Sequence, residues 1–303
     1  MHDSNQRWQR AGRALRQVGR VLAGRQLAGR NLTVYPDDVF LVSYPRSGNT
    51  WARFLLGNLI HPNDPITFAN IESRVPEIYF NSDRVMRSLP RPRLLKSHEC
   101  FQPHYRRIIY IVRDPRDVAI SYYHHNVKAG NIPDGYPMGD FIPRFVNAEF
   151  DAKWGSWSDH VRSWLLLRQG QPDFLLLRYE DMKRETAREL ERVAAFLRGS
   201  AFPSVGTSPE GLRQAIELSS PERMRALEQQ QAGKWVLTKN TRSDKPFIRS
   251  ATAGGWKSQL PEESIAALEL AWGNLMRSLG YDLHTSVMPL DPDLSTFFPT
   301  ASP

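Results

Sequence analysis

Cysteine is nearly absent from this chain of 303 residues: Cys100 stands alone, so no intramolecular disulfide can form and a disulfide-stapled secreted scaffold is excluded. A reducing cytoplasm fits that usage, and Cys100 reads as a small buried apolar residue rather than a reactive thiol. Long apolar runs are missing too: none reaches the roughly 18 residues that a membrane-spanning helix needs. No His-x-x-x-His pair, cysteine cluster or carboxylate triad lies near the ends of the apolar segments, so no metal is expected. A further absence bears on chemistry. "YPRSGNTW", residues 44 to 51, has the layout of a phosphate-binding loop without the Gly-Lys-Ser/Thr ending that grips a nucleoside triphosphate.

What is present is a hydrophobic share of 41%, enough for a sizeable core, and 40 basic side chains against 32 acidic ones, a formal charge of +8. The excess favours anionic partners without choosing among phosphate groups, nucleic acid and acidic lipid. Residues 1–30 stand apart. Trp8, Ala11, Leu15, Val18 and Leu22 share one helical face, and Arg10, Arg13, Arg16 and Arg20 share the other. This basic amphipathic helix is read as an appended helix packing on the domain, as a peripheral contact with anionic membrane, or as a targeting peptide.

Residues 31–285 alternate strand and helix, and 286–303 are read as a tail. "DDVFLVSYP", "RLLKSH", "RRIIYIVR" and "DFLLLRYE" are short apolar runs ending in polar residues, as buried parallel strands do. "TWARFLLGNLI", "DPRDVAISYYHHNV", "KRETARELERVAAFLR" and "EESIAALELAWGNLMRSLG" have helical periodicity, the second opened by Asp114 as N-cap with Pro115 behind it and the last closed by Gly280. The pattern predicts one doubly wound α/β domain with a central parallel sheet and a P-loop-like strand-turn-helix. Pro-, Gly- and Asn-rich stretches near 61–92, 126–140 and 229–255 are the expected loops over the site.

In such a strand-turn-helix the backbone N–H groups and the helix dipole converge on one anion. Arg46 adds a fixed cation, Ser47 and Thr50 add hydroxyls, Gly48 lets the backbone come close, and Asn49 stands where a triphosphate loop has its lysine. A plain Ser/Gly turn is the alternative. The second strand ends in Lys96-Ser97-His98, delivering a cation and a titratable base to the crevice at the carboxyl ends of the strands. The third ends in Arg113, with Ser121 in the helix behind it, a second anion site unless Arg113 pairs with Asp114 or Asp117. Two anion sites on adjacent strands indicate a nucleotide with phosphates at both ends.

Together these residues resemble the cytosolic-type sulfotransferase family over most of residues 36–282. "YPRSGNTW" is similar to its 5'-phosphosulfate loop, "KSH" to its catalytic Lys-x-His, "VRDPRDVAISYYH" to its 3'-phosphate motif, and "FIRSATAGGWK" to its C-terminal phosphate loop; "WGSWSDHVRSW" and "RYEDMK" match further segments. The resemblance implies 3'-phosphoadenosine 5'-phosphosulfate (PAPS) as sulfuryl donor, adenosine 3',5'-bisphosphate (PAP) as product, and no metal. It implies that Arg46, Ser47, Gly48, Asn49 and Thr50 hold the phosphosulfate, with Trp51 and Tyr179 near adenine and Ser219 touching the nucleotide. Arg113, Ser121 and Arg249 would hold the 3'-phosphate, and His98, Lys96 and Arg46 would carry the chemistry. Arg46 stands where the family has lysine, Arg249-Ser250-Ala251 where it has Arg-Lys-Gly, Pro221 where it has an aromatic, and the dimerisation motif of many animal members is not visible.

The implied acceptor is a hydroxyl on a small molecule, lipid or sugar. Tyr79, Phe80, Phe101, Tyr136, Phe141 and Phe145 are the aromatics expected around an aromatic or lipid-like alcohol. Two rivals stay open at this point: a P-loop small-molecule kinase using Mg-ATP, and a non-catalytic basic protein binding membrane or nucleic acid. For the latter, the domain offers no interleaving of cations and aromatics, so no nucleic-acid partner is expected. A cytoplasmic enzyme, membrane-associated if the first helix binds lipid, is the expected setting.

Overall fold

The computed structural model describes residues 27–150, 152–206, 208–231, 235–238, 241–249 and 252–285. The amphipathic helix expected over 1–30 and the tail 286–303 lie outside these residues, apart from 27–30. Those four already belong to the domain: Ala28 N–H donates to Asn81 O at 2.8 Å, and Arg30 pairs with Glu99 at 2.7 Å.

Four parallel strands build the sheet: β1 (Val39–Ser43), β2 (Leu94–Ser97), β3 (Arg107–Val112) and β4 (Phe174–Arg178), in the order β2-β1-β3-β4. β1 is buried at every position, which is why it reads as a continuous apolar run rather than an alternating one. Its residues still divide by face. Phe40 and Val42 enter one core cluster with Tyr110, Trp157, Trp164 and Trp272, and Val39 and Leu41 enter another with Leu55, Ile109 and Leu197.

Helices cover both faces. α1 (Asn49–Ile60) follows β1 and packs into the second cluster with α4 (Thr186–Ser200) and α5 (Pro209–Leu218); α2 (Pro115–Ala129), α3 (Trp157–Arg168) and α6 (Glu262–Ser278) join the first. The chain therefore leaves β1 and β3, which are neighbours, towards opposite faces. That reversal opens the crevice in which doubly wound sheets bind ligands. α2 begins as expected, with Asp114 Oδ1 accepting from Arg116 N–H at 2.9 Å and Pro115 at the first helical position. The single helix expected from Lys183 is instead broken at Glu185, between Tyr179–Arg184 and α4. A third, smaller cluster of Phe54, Phe68, Trp235 and Phe247 supports the segment that walls the crevice.

Candidate active site

At the end of β1 the chain turns sharply, with Arg46 (φ 69°) and Gly48 (φ 94°) both left-handed. At Gly48 the reason is spatial as well as conformational: a Cβ would lie 2.4 Å from the Tyr179 ring. Asn49 folds back on the strand, donating to Ser43 Oγ at 3.1 Å. It braces the turn where a triphosphate loop has its lysine. Arg46 Nε donates to Ser121 Oγ at 3.1 Å, and its guanidinium lies over Phe247 at 4.9 Å. Burial and the neighbouring Arg113 pull Arg46 down to about 10.

β2 supplies the groups opposite. His98 Nδ1 lies 2.7 Å from Ser43 O, and a carbonyl can only accept, so Nδ1 carries the proton and Nε2 the lone pair. Its backbone is fixed on both sides: the N–H donates to Tyr79 Oη at 3.1 Å, and the carbonyl accepts from His160 Nε2 at 3.0 Å. His160 is set in turn by Tyr110 Oη, 2.8 Å from its Nδ1. Burial first, then Lys96, hold the His98 imidazole well below the ordinary 6.5, so it is neutral and able to accept a proton near pH 7. Lys96 Nζ donates to Glu77 Oε2 at 2.6 Å.

From β3, Arg113 joins three segments. It donates to Arg46 O at 3.1 Å and to Thr252 O at 3.0 Å, and lies over the Tyr179 ring at 4.3 Å. The ion-pair alternative is weak here: Asp117 stays 3.9 Å away and accepts instead from Gly254 N–H and Trp256 N–H, whereas Asp114 is taken up by Arg116. Arg249 donates to Gln259 Oε1 at 2.8 Å; Ser250 and Ala251 beside it lie outside the described residues.

These elements enclose a pocket of about 290 Å³ lined by Arg46, Gly48, Asn49, Thr50, Trp51, Lys96, His98, Arg113, Ser121 and Arg249. Tyr179 backs it, its ring lying against Gly48 and meeting the Trp51 ring edge-on at 5.8 Å. Ser47 is buried beneath the turn. Ser219 behaves otherwise than expected: its hydroxyl is buried, donating to Ala215 O at 2.7 Å and accepting from Asn58 at 3.0 Å, and only its carbonyl serves the site by receiving Trp51 Nε1 at 3.0 Å. The aromatic wall also differs. Phe141 and Phe145 are core residues packed around Trp272 and Phe150, and the rings lining the pocket are Trp51, Tyr122, Trp154 and Phe247.

Glu77, His125, Leu237 and Ile248 complete the lining and were not read from the sequence. His125 had a usable signal, since it lies one helical turn beyond Ser121 on the same face of α2. Burial, Arg46 and Lys96 lower it to about 3, so it faces the pocket neutral. Glu77 lies in the 61–92 stretch expected over the site, but no periodicity there singles out one side chain.

The residues fit a polyanion. Among the described residues no carboxylate pairs with Arg46 or Arg249, and the buried Ser47 Oγ, Asn49 Oδ1 and Arg113 Nε have no partner. No group of three His, Cys, Asp or Glu side chains among them is placed to hold a metal ion.

Residues 36–280 match the family model for the sulfotransferase domain. The chain belongs to the sulfotransferase family. Among its relatives are rat sulfotransferase 1A1, 30% identical over 245 residues covering 76% of this chain and 81% of that protein, and dog sulfotransferase 1B1, 28% identical over 239 residues covering 74% and 78%. Solved structures share the fold: mouse SULT7A1 complexed with PAP (TM-score 0.64, 23% identity, 82% of this chain and 88% of that one) and retinol dehydratase with androsterone and the inactive cofactor PAP (TM-score 0.67, 20% identity, 86% of each). Family membership decides against the kinase and the non-catalytic readings of this sulfotransferase.

Proposed function

We propose that this sulfotransferase moves a sulfuryl group from PAPS to the hydroxyl of a small-molecule acceptor, releasing PAP. The observation that carries the reading is the meeting of a lysine-free anion turn with the unprotonated Nε2 of His98 in one pocket. Bound donor supplies the sulfuryl group, whose sulfur exchanges its bridging phosphate oxygen for the acceptor oxygen.

The chain supplies the rest. His98 takes the acceptor proton on Nε2, a form of help worth roughly 10²- to 10⁴-fold. Arg46, Lys96 and the N–H groups of the turn stabilise negative charge growing on the transferring and leaving oxygens. Arg46 acts by charge alone, since a guanidinium does not give up its proton near pH 7. Arg113, Ser121 and Arg249 take the 3'-phosphate, Ser47, Gly48, Asn49 and Thr50 the 5'-phosphosulfate, and Trp51 and Tyr179 the adenine. Ser219 acts through Trp51.

The acceptor is a hydroxylated small molecule of aromatic or lipid-like character, received by Trp154, Tyr122 and Phe247; retinol and androsterone occupy neighbours of the same fold. A screen of phenols, sterols, lipids and sugars with labelled PAPS tests this, with His98→Ala as control. The mutant should lose turnover and keep PAP affinity within about threefold, because the base touches only the acceptor. Undiminished turnover in His98→Ala would remove it from the mechanism. The basic face of residues 1–30 suits peripheral contact with an anionic membrane. Sedimentation with phosphatidylserine liposomes should then fall when residues 1–26 are deleted, and equal sedimentation would reject the contact.

A further inference from the structure

The pocket lining contains one carboxylate among the described residues, Glu77, and no step above uses it. Its place is built by pairing. Residues 76–78 run beside β2, with Lys96 N–H donating to Pro76 O at 2.9 Å and Ile78 N–H to Lys96 O at 3.2 Å, so that Glu77 and Lys96 are partners in a parallel bridge. Partners in a parallel pair present their side chains on one face. Here the two meet as a 2.6 Å ion pair with exposures of only 4% and 5%.

Glu77 is itself anchored. Its N–H donates to Glu72 Oε2 at 2.9 Å, and Arg53 of α1 stands 3.9 Å from its carboxylate while donating to Glu72 Oε1 at 2.7 Å and to Val75 O. Trp235, from the segment walling the pocket, donates to the same Glu72 oxygen at 3.3 Å. The charged and titratable groups around Lys96 are thus Glu77 and Glu72 from the 71–78 segment, Arg53 from α1, His98 at its own strand end and His125 from α2.

We propose that Glu77 is the positioning residue of Lys96, fixing its ammonium beside His98 and keeping it charged while the enzyme works. The proposal rests on the sulfuryl-transfer reading above. Burial and Arg53 both favour a neutral lysine, and a neutral lysine cannot stabilise an oxygen gaining negative charge. Glu77 opposes them through charge and a direct hydrogen bond. Its backbone is fixed by the pairing with β2 and by Glu72, so the carboxylate stands on a short stem at a set place and holds the ammonium there by a 2.6 Å hydrogen bond.

The test compares wild type with Glu77→Gln, which keeps the shape and removes the charge. Two readouts are taken: the pH profile of kcat, and the pH dependence of Lys96 acetylation by acetic anhydride, followed by mass spectrometry. In the variant Lys96 should become reactive at lower pH, the alkaline limb of kcat should move down with it, and kcat at pH 8 should fall about tenfold or more. PAP affinity should stay within about threefold, and Glu77→Asp should recover part of the loss. Coincident Lys96 titrations in wild type and Glu77→Gln would overturn the proposal, as would an unmoved alkaline limb. If the glutamine variant does not fold, Glu77→Asp carries the test: a partial shift supports the role and an unshifted titration removes it. Failure of wild type to bind PAP would instead sink the donor reading, and the acetylation comparison would still decide about Glu77.

Discussion

A single missing methyl sets the shape of the phosphate turn. Gly48 has a left-handed backbone and the Tyr179 ring where a side chain would begin. Gly48→Ala should therefore cost stability on two counts, about 1–2 kcal/mol for the backbone and a similar amount for displacing the ring. Calorimetry should show a lowered Tm together with weaker PAP binding; an unchanged Tm would mean that the ring yields freely. The turn was legible because its residues are contiguous and their chemistry is local. Ser219 was not, since whether a hydroxyl at the end of a helix meets ligand or protein depends on a distant partner, in this case Asn58 of α1. His98 was readable as a titratable group at a strand end, but its tautomer rests on Ser43 O, its backbone on Tyr79 and His160, and all three come from other elements.

Among elements, the strands and the helices of strong period were readable: four apolar runs became four parallel strands, α2 began at its Asp114-Pro115 signal, and α6 ended at Ser278, close to Gly280. Met138–Val146, α3, α5 and Pro221–Gln231 went unassigned. Pro143 interrupts the first, and Pro221–Gln231 buries only Met224, so its apolar stripe is nearly absent. Asp117 ties down the loop at 252–256 by accepting from the N–H groups of Gly254 and Trp256. Asp117→Ala leaves both donors unpaired, at about 1–3 kcal/mol for each that water does not reach. Because the same loop receives Arg113 through Thr252 O, PAP affinity should fall about tenfold while kcat at saturating donor changes little. Equal PAP affinity in a folded Asp117→Ala protein would show that the loop does not serve the 3'-phosphate.

For the whole molecule, one histidine is enclosed on every side. His160, fully buried, is lowered to about 4, chiefly by burial, against about 6.5 for an unfolded chain. Between those values the unfolded state binds a proton that the native state refuses. Stability is therefore complete above about pH 6.5 and declines as pH falls towards 4, by about 3 kcal/mol for this one group. His160→Gln should lower Tm at neutral pH and flatten its decline over that window, and a decline parallel to wild type would assign the acid sensitivity to other groups. The fold class followed from the alternation of elements, and the pocket's location from the rule for doubly wound sheets. That 229–255 lies over the site followed from its loop composition, but which side chains reach the pocket did not: Leu237, Phe247 and Ile248 are placed by the packing of Trp235 against Phe68, a contact between loops that no periodicity announces.

Arg113 clasps Arg46 and Thr252, so one guanidinium closes a ring through the first, third and last portions of the domain. Nucleotide affinity in this protein is accordingly a gauge of folding across residues 46–252, because no piece of chain short of that span contains the clasp. The same closure lets the ligand act as a folding aid: at a hundred times its Kd, bound PAP would add about 2.7 kcal/mol to the native state and draw unfinished chains towards it.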